Sequence, residues 1–452
     1  MEVHMTRKWL VALLVCIAYP MSAFSINFES TEVVANKNGY LFEIHGSNTI
    51  GAELAPNLIA TWLTEHKFNS IEIKVTSVPN EKEVWAISPT KQLIKILVAA
   101  HGSGTGFEQI RNGRADIAAA SRPIKPSENA LFPTIDLTQY ETETVLAIDG
   151  LAIITHPDLS IPSLTISQVG ELFSGKITNW QQLGGPNLTV SIHARDDKSG
   201  TFDTFKALVL SRGYQLKRNI KRYESNDQLA KQVSSQFGAI GFTAFASIGH
   251  AKAVAIIDGE SQPMLPKVSS IAIEDYPLSR RLYLYQANSS NAFAKDFLSF
   301  VKSPTGQNTV ANSGFVSQNL TELSIEPADN LPNGYRFIIE RSMRLTTNFR
   351  FSPGEKTLDN KAQDDLLRIQ EYMARPENQN RSIMLVAFAN KQNSEFRAQL
   401  LSEARALRVK QQLNSIGIQT NAMTGYGEMN PVADNTDEKF ALRNLRVEVW
   451  IR

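Results

Sequence analysis

Ser-Gly-Thr occurs twice in the chain, at Ser103-Gly104-Thr105 and at Ser199-Gly200-Thr201, each between a strand-like run and a helix-like one. A looser version, Gly46-Ser47-Asn48-Thr49-Ile50-Gly51, follows the run from Leu41 to Ile44 through His45. Loops of this kind direct backbone N–H groups and hydroxyls outward at the positive end of a helix, which suits a small oxyanion. Arg195, four residues before the second Ser-Gly-Thr, adds a planar fork of charged donors, and Asp196 or Asp197 is placed to hold that fork. Any one such loop is equally a plain helix cap. Three of them with an arginine read as one anion cleft.

Competing chemistries have weaker support. Ser199 as a nucleophile lacks a recognisable His and Asp pattern. His45 and His101 each precede a Gly-Ser pair, but no third ligand accompanies them. They read as strand-end histidines bonded to backbone, and no metal or other cofactor is expected. His193 falls on the same strand as Arg195.

These residues need a scaffold, and the chain supplies one. From about Phe42 to Glu322, short apolar strands alternate with helical patterns, as in an α/β protein with mostly parallel sheets. Ile166 to Phe173 is predicted helical with Gly175 just beyond it. Ser225 is placed to cap a helix running to Gln236, and Ala239 to Phe245 reads as a buried strand. The texture changes at Ser324 to Gly334, where SIEPADNLPNG reads as a linker. A strand around Arg336 to Asn348 follows, then a helix Asn360 to Ala374 and a strand Ser382 to Phe388. A helix Glu395 to Ser415 and a final strand Arg446 to Ile451 complete an α+β pattern.

Composition narrows the function classes. The 452 residues carry a formal net charge of +1, so no concentrated basic face for nucleic acid is indicated. Arg7 and Lys8 precede an apolar run from Trp9 to Tyr19, with Ala23 and Ser25 spaced as a signal peptidase prefers, so residues 1–25 read as a cleaved signal. The single cysteine, Cys16, lies inside that segment, and the mature chain is expected to have no disulfide and no transmembrane helix.

Residues 41–322 resemble the periplasmic phosphate-binding proteins of ABC importers. The resemblance rests on GSNTIGAELAP, GSGTGFEQIRNGRADIAAASRPIK, ELFSGKITNWQQLGG, ARDDKSGTFDTF, FGAIGF and LYLYQANSSNAFAKDFLSFVKSPTGQ. It implies a two-lobed α/β periplasmic-binding-protein fold, type II-like, with the ligand between the lobes. The family's phosphate ligands fall on Thr49, Ile50, Ser103, Arg195, Ser199, Gly200 and Thr201. The carboxylate with which the family often reads the phosphate proton is not evident. That stretch is Ala120-Ser121-Arg122, where Ser121 and Arg122 are further candidate donors, and Asp116 aligns with a structural aspartate.

Residues 340–452 resemble the OmpA-like domain, a small α+β fold that holds envelope proteins to peptidoglycan. NFRFSPGEKTLD, LVAFAN, LLSEARALRVKQQL, GYGEMNPVADN and NLRVEVW carry the resemblance. The family clamps diaminopimelate with an aspartate and an arginine. Arg405 matches the arginine, whereas Asn390 stands at the aspartate position and Ala387 replaces a usual glycine.

The expected organisation is therefore a signal peptide (1–25), a phosphate-binding domain (26–323), a linker (324–339) and an OmpA-like domain (340–452). The implied function is exported capture of phosphate or a related oxyanion by a non-enzymatic receptor held at a Gram-negative-type envelope. Peptidoglycan and an ABC permease are the partners this implies. An envelope scaffold or adhesin with a vestigial cleft, and a phosphate-ester hydrolase, are the alternatives.

Overall fold

The computed structural model describes residues 26, 28, 35–197, 199–287, 291–327, 331–351 and 357–452. The expected signal segment, with Cys16, lies outside them. Two parallel cores hold the loops singled out above. In the near lobe Glu43–Gly46 runs parallel to Leu93–Ala99 on one side and Ile117–Ala120 on the other, with Ile44 opposite both Val98 and Ile117. In the far lobe Ser191–Arg195 runs parallel to Ala239–Ala244 and Lys221–Tyr223. Loops that leave the carboxyl ends of parallel strands face a common crevice, which is where open α/β sheets bind ligands.

One long strand joins the lobes. The first half of Glu143–Thr155 pairs antiparallel with Ser279–Tyr285, and its second half with Ala239–Ala244. It is buried throughout from Thr144, as its apolar sequence requires of a strand covered on both faces. The resulting sheet has eleven strands, and it is mixed. Glu81–Ile87 lies antiparallel to both Asn69–Val75 and Leu93–Ala99, so the mostly parallel expectation holds for the lobe cores alone. Aromatic packing closes each lobe: Trp62 meets Phe42 and Phe297 edge-on in the near one, and Phe205 stacks on Phe242 at 4.2 Å in the far one. Helices Ile166–Ser174 and Asn226–Ser235 form where the pattern places them, capped by Thr165 and Ser225, with Gly175 left-handed at the first one's end.

The C-terminal module is a five-stranded sheet ordered Glu322–Leu323, Met343–Arg350, Arg446–Ile451, Ile383–Ala387, Thr420–Gly425. Helices Asn360–Met373 and Glu395–Ser415 bury Ile369, Val409 and Leu413 against Leu385 and Val449 on one face. The linker expectation is corrected here. Asn333–Arg341 is a helix, not the start of a strand, and its Tyr335 and Ile339, one turn apart, cover Phe388 and Trp450 on the opposite face. The Tyr335 hydroxyl donates to Glu448 at 2.8 Å. This helix is part of the module's core.

The module lies against both lobes. Toward the near lobe, Asp364 accepts from Tyr140 at 2.6 Å and pairs with Lys302 at 3.2 Å. Toward the far lobe, Arg344 and Asn348 donate to Asp275, each at 3.0 Å, and Arg443 donates to the carbonyls of Glu274 and Tyr276. Between them Arg281 bridges Glu274 and Asp359. Burial alone would raise the Asp275 carboxyl, but Arg344, Arg446 and Arg350 outweigh it and hold the group below the usual carboxylate range. Among the described residues no helix is long and apolar enough to cross a membrane.

Candidate anion site between the lobes

The near-lobe loops are stitched side by side. Gly46 ends its strand at φ +134°, a conformation open to glycine, and a Cβ there would strike the Ala119 carbonyl oxygen at 2.1 Å. Its carbonyl accepts from Gly102, and the next amide, of Ser47, donates to Ala119. This registers Thr49 beside Ser103 and Ser121. Ser103 does not cap its own helix; its hydroxyl accepts from the Ser121 amide at 3.1 Å and lies 3.4 Å from the Ser121 hydroxyl.

From the far lobe, Ser199 caps the helix Gly200–Leu208 through the Phe202 amide. Gly200 brings the lobes together: a Cβ on it would lie 2.6 Å from the Ser121 hydroxyl and 3.2 Å from that of Thr49. Thr49, Arg195, Ser199, Gly200 and Thr201 all line a cleft of about 1360 Å³ between the lobes. Thr49, Ser103, Ser121 and the Ser199–Thr201 turn therefore meet in space. Ile50 is fully buried and adds its side chain to the near-lobe core.

Arg195 ends its strand 6% exposed. Its fork is aimed differently from the expectation. Nε donates to the Tyr223 carbonyl at 3.2 Å, Nη2 to the Glu224 carbonyl at 2.6 Å and Nη1 to Asn226, while Asp197 pairs with Arg222 at 2.8 Å. Neutral oxygens hold the fork, and among the described residues no carboxylate accepts a hydrogen bond from it, though the Asp196 charge lies near. Burial, chiefly, lowers its pKa to about 10.

Arg122 is turned away from the role of donor, forking onto Glu128 at 2.7 and 2.8 Å. Asp116 is structural, accepting from the Glu43 amide at 2.9 Å. His45 and His101 bond to the carboxylates of Glu43 and Glu81, not to backbone. His193 is shared between Tyr223 and Ser191. No group of three or more metal-ligating side chains occurs among the described residues.

Three polar groups in this region escaped the sequence reading. Asn226 was hidden as the first residue of a helix. Arg280 and Asp149 form a buried pair at 2.7 Å at the cleft floor, and nothing in the spacing of either marks it. Two further near-lobe atoms, the Ser47 hydroxyl and the Asn48 amide oxygen, are buried with no hydrogen-bond partner among the described residues.

In the C-terminal module Arg405 is partly buried, 5.8 Å over the Phe351 ring, and its Nη1 is buried with no hydrogen-bond partner among the described residues. Burial lowers its pKa. The Asn390 amide oxygen accepts from Gln392 at 2.8 Å.

Two parallel-stranded lobes, a crossing strand and a hydroxyl-lined cleft define a two-lobed binding protein, and comparison gives the family. Residues 83–305 match the PBP superfamily domain and residues 350–444 the OmpA family. The phosphate-binding protein PstS of Bacillus subtilis is 30% identical over 223 residues, which cover 49% of this chain and 70% of that protein. Protein SphX of Synechococcus elongatus is 28% identical, over 47% of this chain and 66% of its own. An ABC-type phosphate transport receptor from Vibrio cholerae superposes with a TM-score of 0.48 at 24% identity, covering 61% of this chain and 99% of that one. The chain belongs to the PstS family of phosphate-binding proteins, and it carries a C-terminal OmpA domain.

Proposed function

We propose that the chain is a phosphate receptor of the cell envelope that closes its two lobes on the anion without turning it over. The observation that carries this is Arg195, held by neutral oxygens beside the Ser199–Thr201 turn, facing Thr49 and Ser121 across Gly200. The arginine supplies the charge, and hydroxyls and amides solvate the rest of the oxyanion. The partnerless Asn48 oxygen is an acceptor suited to the proton of monohydrogen phosphate, a proton that sulfate lacks. The mature span begins after residue 25, and the receptor serves capture or sensing as well as delivery to an ABC permease. Calorimetry of the full chain with phosphate, sulfate and arsenate tests this. Micromolar or tighter phosphate binding, weakened in Arg195→Ala, is expected; silence with every oxyanion overturns it.

Of the expected limits, 26–323 for the receptor and 340–452 for the OmpA-like domain, we extend the second back to take in Glu322–Leu323, which pairs in its sheet, and the helix Asn333–Arg341, which packs in its core. The OmpA-like domain holds the receptor at peptidoglycan through Arg405, whose desolvated, partnerless Nη1 favours a carboxylate. Asn390 offers its amide oxygen to the neighbouring ammonium without a full charge, so retention is weaker than an aspartate would give. Co-sedimentation of the full chain with purified peptidoglycan, compared with Arg405→Ala, checks the anchor. Equal recovery of both forms contradicts it.

A further inference from the structure

Arg280 and Asp149 stand opposite each other where Ser279–Tyr285 pairs with Glu143–Thr155, the strand common to both lobes. They are 8% and 2% exposed. One edge of the guanidinium faces Asp149, with Nε at 2.8 Å and Nη2 at 2.7 Å from the same carboxylate oxygen. The other edge faces the cleft. Nη1 donates to the Gly200 carbonyl at 2.7 Å and to the Thr204 hydroxyl, and Nη2 reaches the Thr49 hydroxyl at 3.3 Å. The five N–H groups of an arginine are thereby all committed to protein acceptors. Arg280 has no donor left for a ligand. It is a positioning residue.

We infer that Arg280 is the latch of the cleft: a hinge cation that ties Thr49 of the near lobe to the Gly200–Thr204 turn of the far lobe. Two consequences follow from the geometry. The lobes are held in register at the anion site before any ligand arrives, so less of the ordering cost of closure falls on binding. The Thr49 oxygen, accepting from a guanidinium, keeps its own hydrogen free to donate. Thr49 thus presents a donor to the cleft, which selects an unprotonated oxyanion oxygen at that position. Asp149 cancels the charge of Arg280, so the pair contributes geometry and leaves the net attraction for the anion to Arg195. This rests on the reading of the cleft as an anion site.

The test uses the full chain with Cys16→Ser and spin labels on Glu65→Cys and Gln232→Cys, exposed positions in the near and far lobes. Without phosphate, the parent is expected to give one narrow interlobe distance. Arg280→Gln, and the charge-neutral double variant Arg280→Gln/Asp149→Asn, are expected to shift it longer and broaden it. Calorimetry with inorganic phosphate should show Kd raised at least tenfold in Arg280→Gln, and adding Thr49→Val should cost less in that background than in the parent, because Arg280 orients the Thr49 hydroxyl. Unchanged distances in a folded double variant, or losses that simply multiply, overturn the latch. A parent that binds no phosphate removes the anion reading instead, and the distance measurement still decides whether Arg280 holds the lobes.

Discussion

At the scale of the residue, Arg195 separates a binding cleft from a pair of helix caps. Its fork is oriented by the carbonyls of Tyr223 and Glu224 and by Asn226, so among the described residues it makes no hydrogen bond to a carboxylate, although the Asp196 charge lies near it. A charge-assisted hydrogen bond contributes about 1.5–3 kcal/mol. Arg195→Ala should then weaken phosphate binding by roughly tenfold to a hundredfold, read by calorimetry. His193, on the same strand, has a different consequence. Burial, with help from Lys221, lowers its pKa from 6.5 to about 4. A histidine kept neutral in the fold binds fewer protons than in the unfolded chain between those values. Stability therefore rises with pH from about 4 to 6.5, and on acidification through that window it falls by on the order of 3 kcal/mol. Thermal unfolding across that range should show a slope that is shallower in His193→Phe. The donors Thr49, Ser103, Ser199 and Thr201 were legible because Gly/Ser/Thr loops mark themselves. Arg280 was not. It sits beside Arg281 in one strand, and only the alternation of a strand sends one to the cleft and the other to the C-terminal module.

At the scale of the element, the close approach of two loops matters more than the strength of either. Gly200 leaves room for the Ser121 and Thr49 hydroxyls. Gly200→Ala puts a better helix former at the first turn of Gly200–Leu208, which offsets the local crowding, so the melting temperature should change little. Phosphate Kd should nevertheless rise about tenfold or more, because the added methyl group holds the lobes apart. A large loss of stability with affinity intact would contradict this geometry. Elements with strong periodicity were readable from the chain alone: Glu395–Ser415 and Arg446–Ile451 have the expected bounds. Asn333–Arg341 was read as linker and strand because Pro332, Asn333 and Gly334 resemble a turn, and a helix under three turns long shows only one apolar repeat. Thr420–Gly425 went unread since most of its side chains face solvent, which leaves no alternation to see.

At the scale of the whole molecule, the C-terminal module is fastened to both lobes by buried charge. Removing one partner of a buried ion pair leaves the other uncompensated, at a cost of about 3–5 kcal/mol. Asp275→Ala takes this partner from Arg344 and Arg350, which keep Glu448 and Glu274 respectively, so the loss falls at or below the low end of that range. It should lower the unfolding temperature and split a single calorimetric transition into two as the module uncouples from the lobes. One unchanged transition would contradict the docked arrangement. The sequence carried both modules but not this contact, since the pairs join residues far apart, such as Asp275 with Arg344 and Tyr140 with Asp364. The two-lobed domain and the OmpA domain thus form one body, with Thr49 and Arg195 opening on a separate cleft. The central claim is that this cleft takes up phosphate, and equilibrium dialysis of the full chain against labelled phosphate tests it most directly. One phosphate retained per chain, undiminished by excess sulfate and held roughly tenfold to a hundredfold more weakly by Arg195→Ala, is the predicted result; no saturable retention, or equal affinity in the variant, would contradict it.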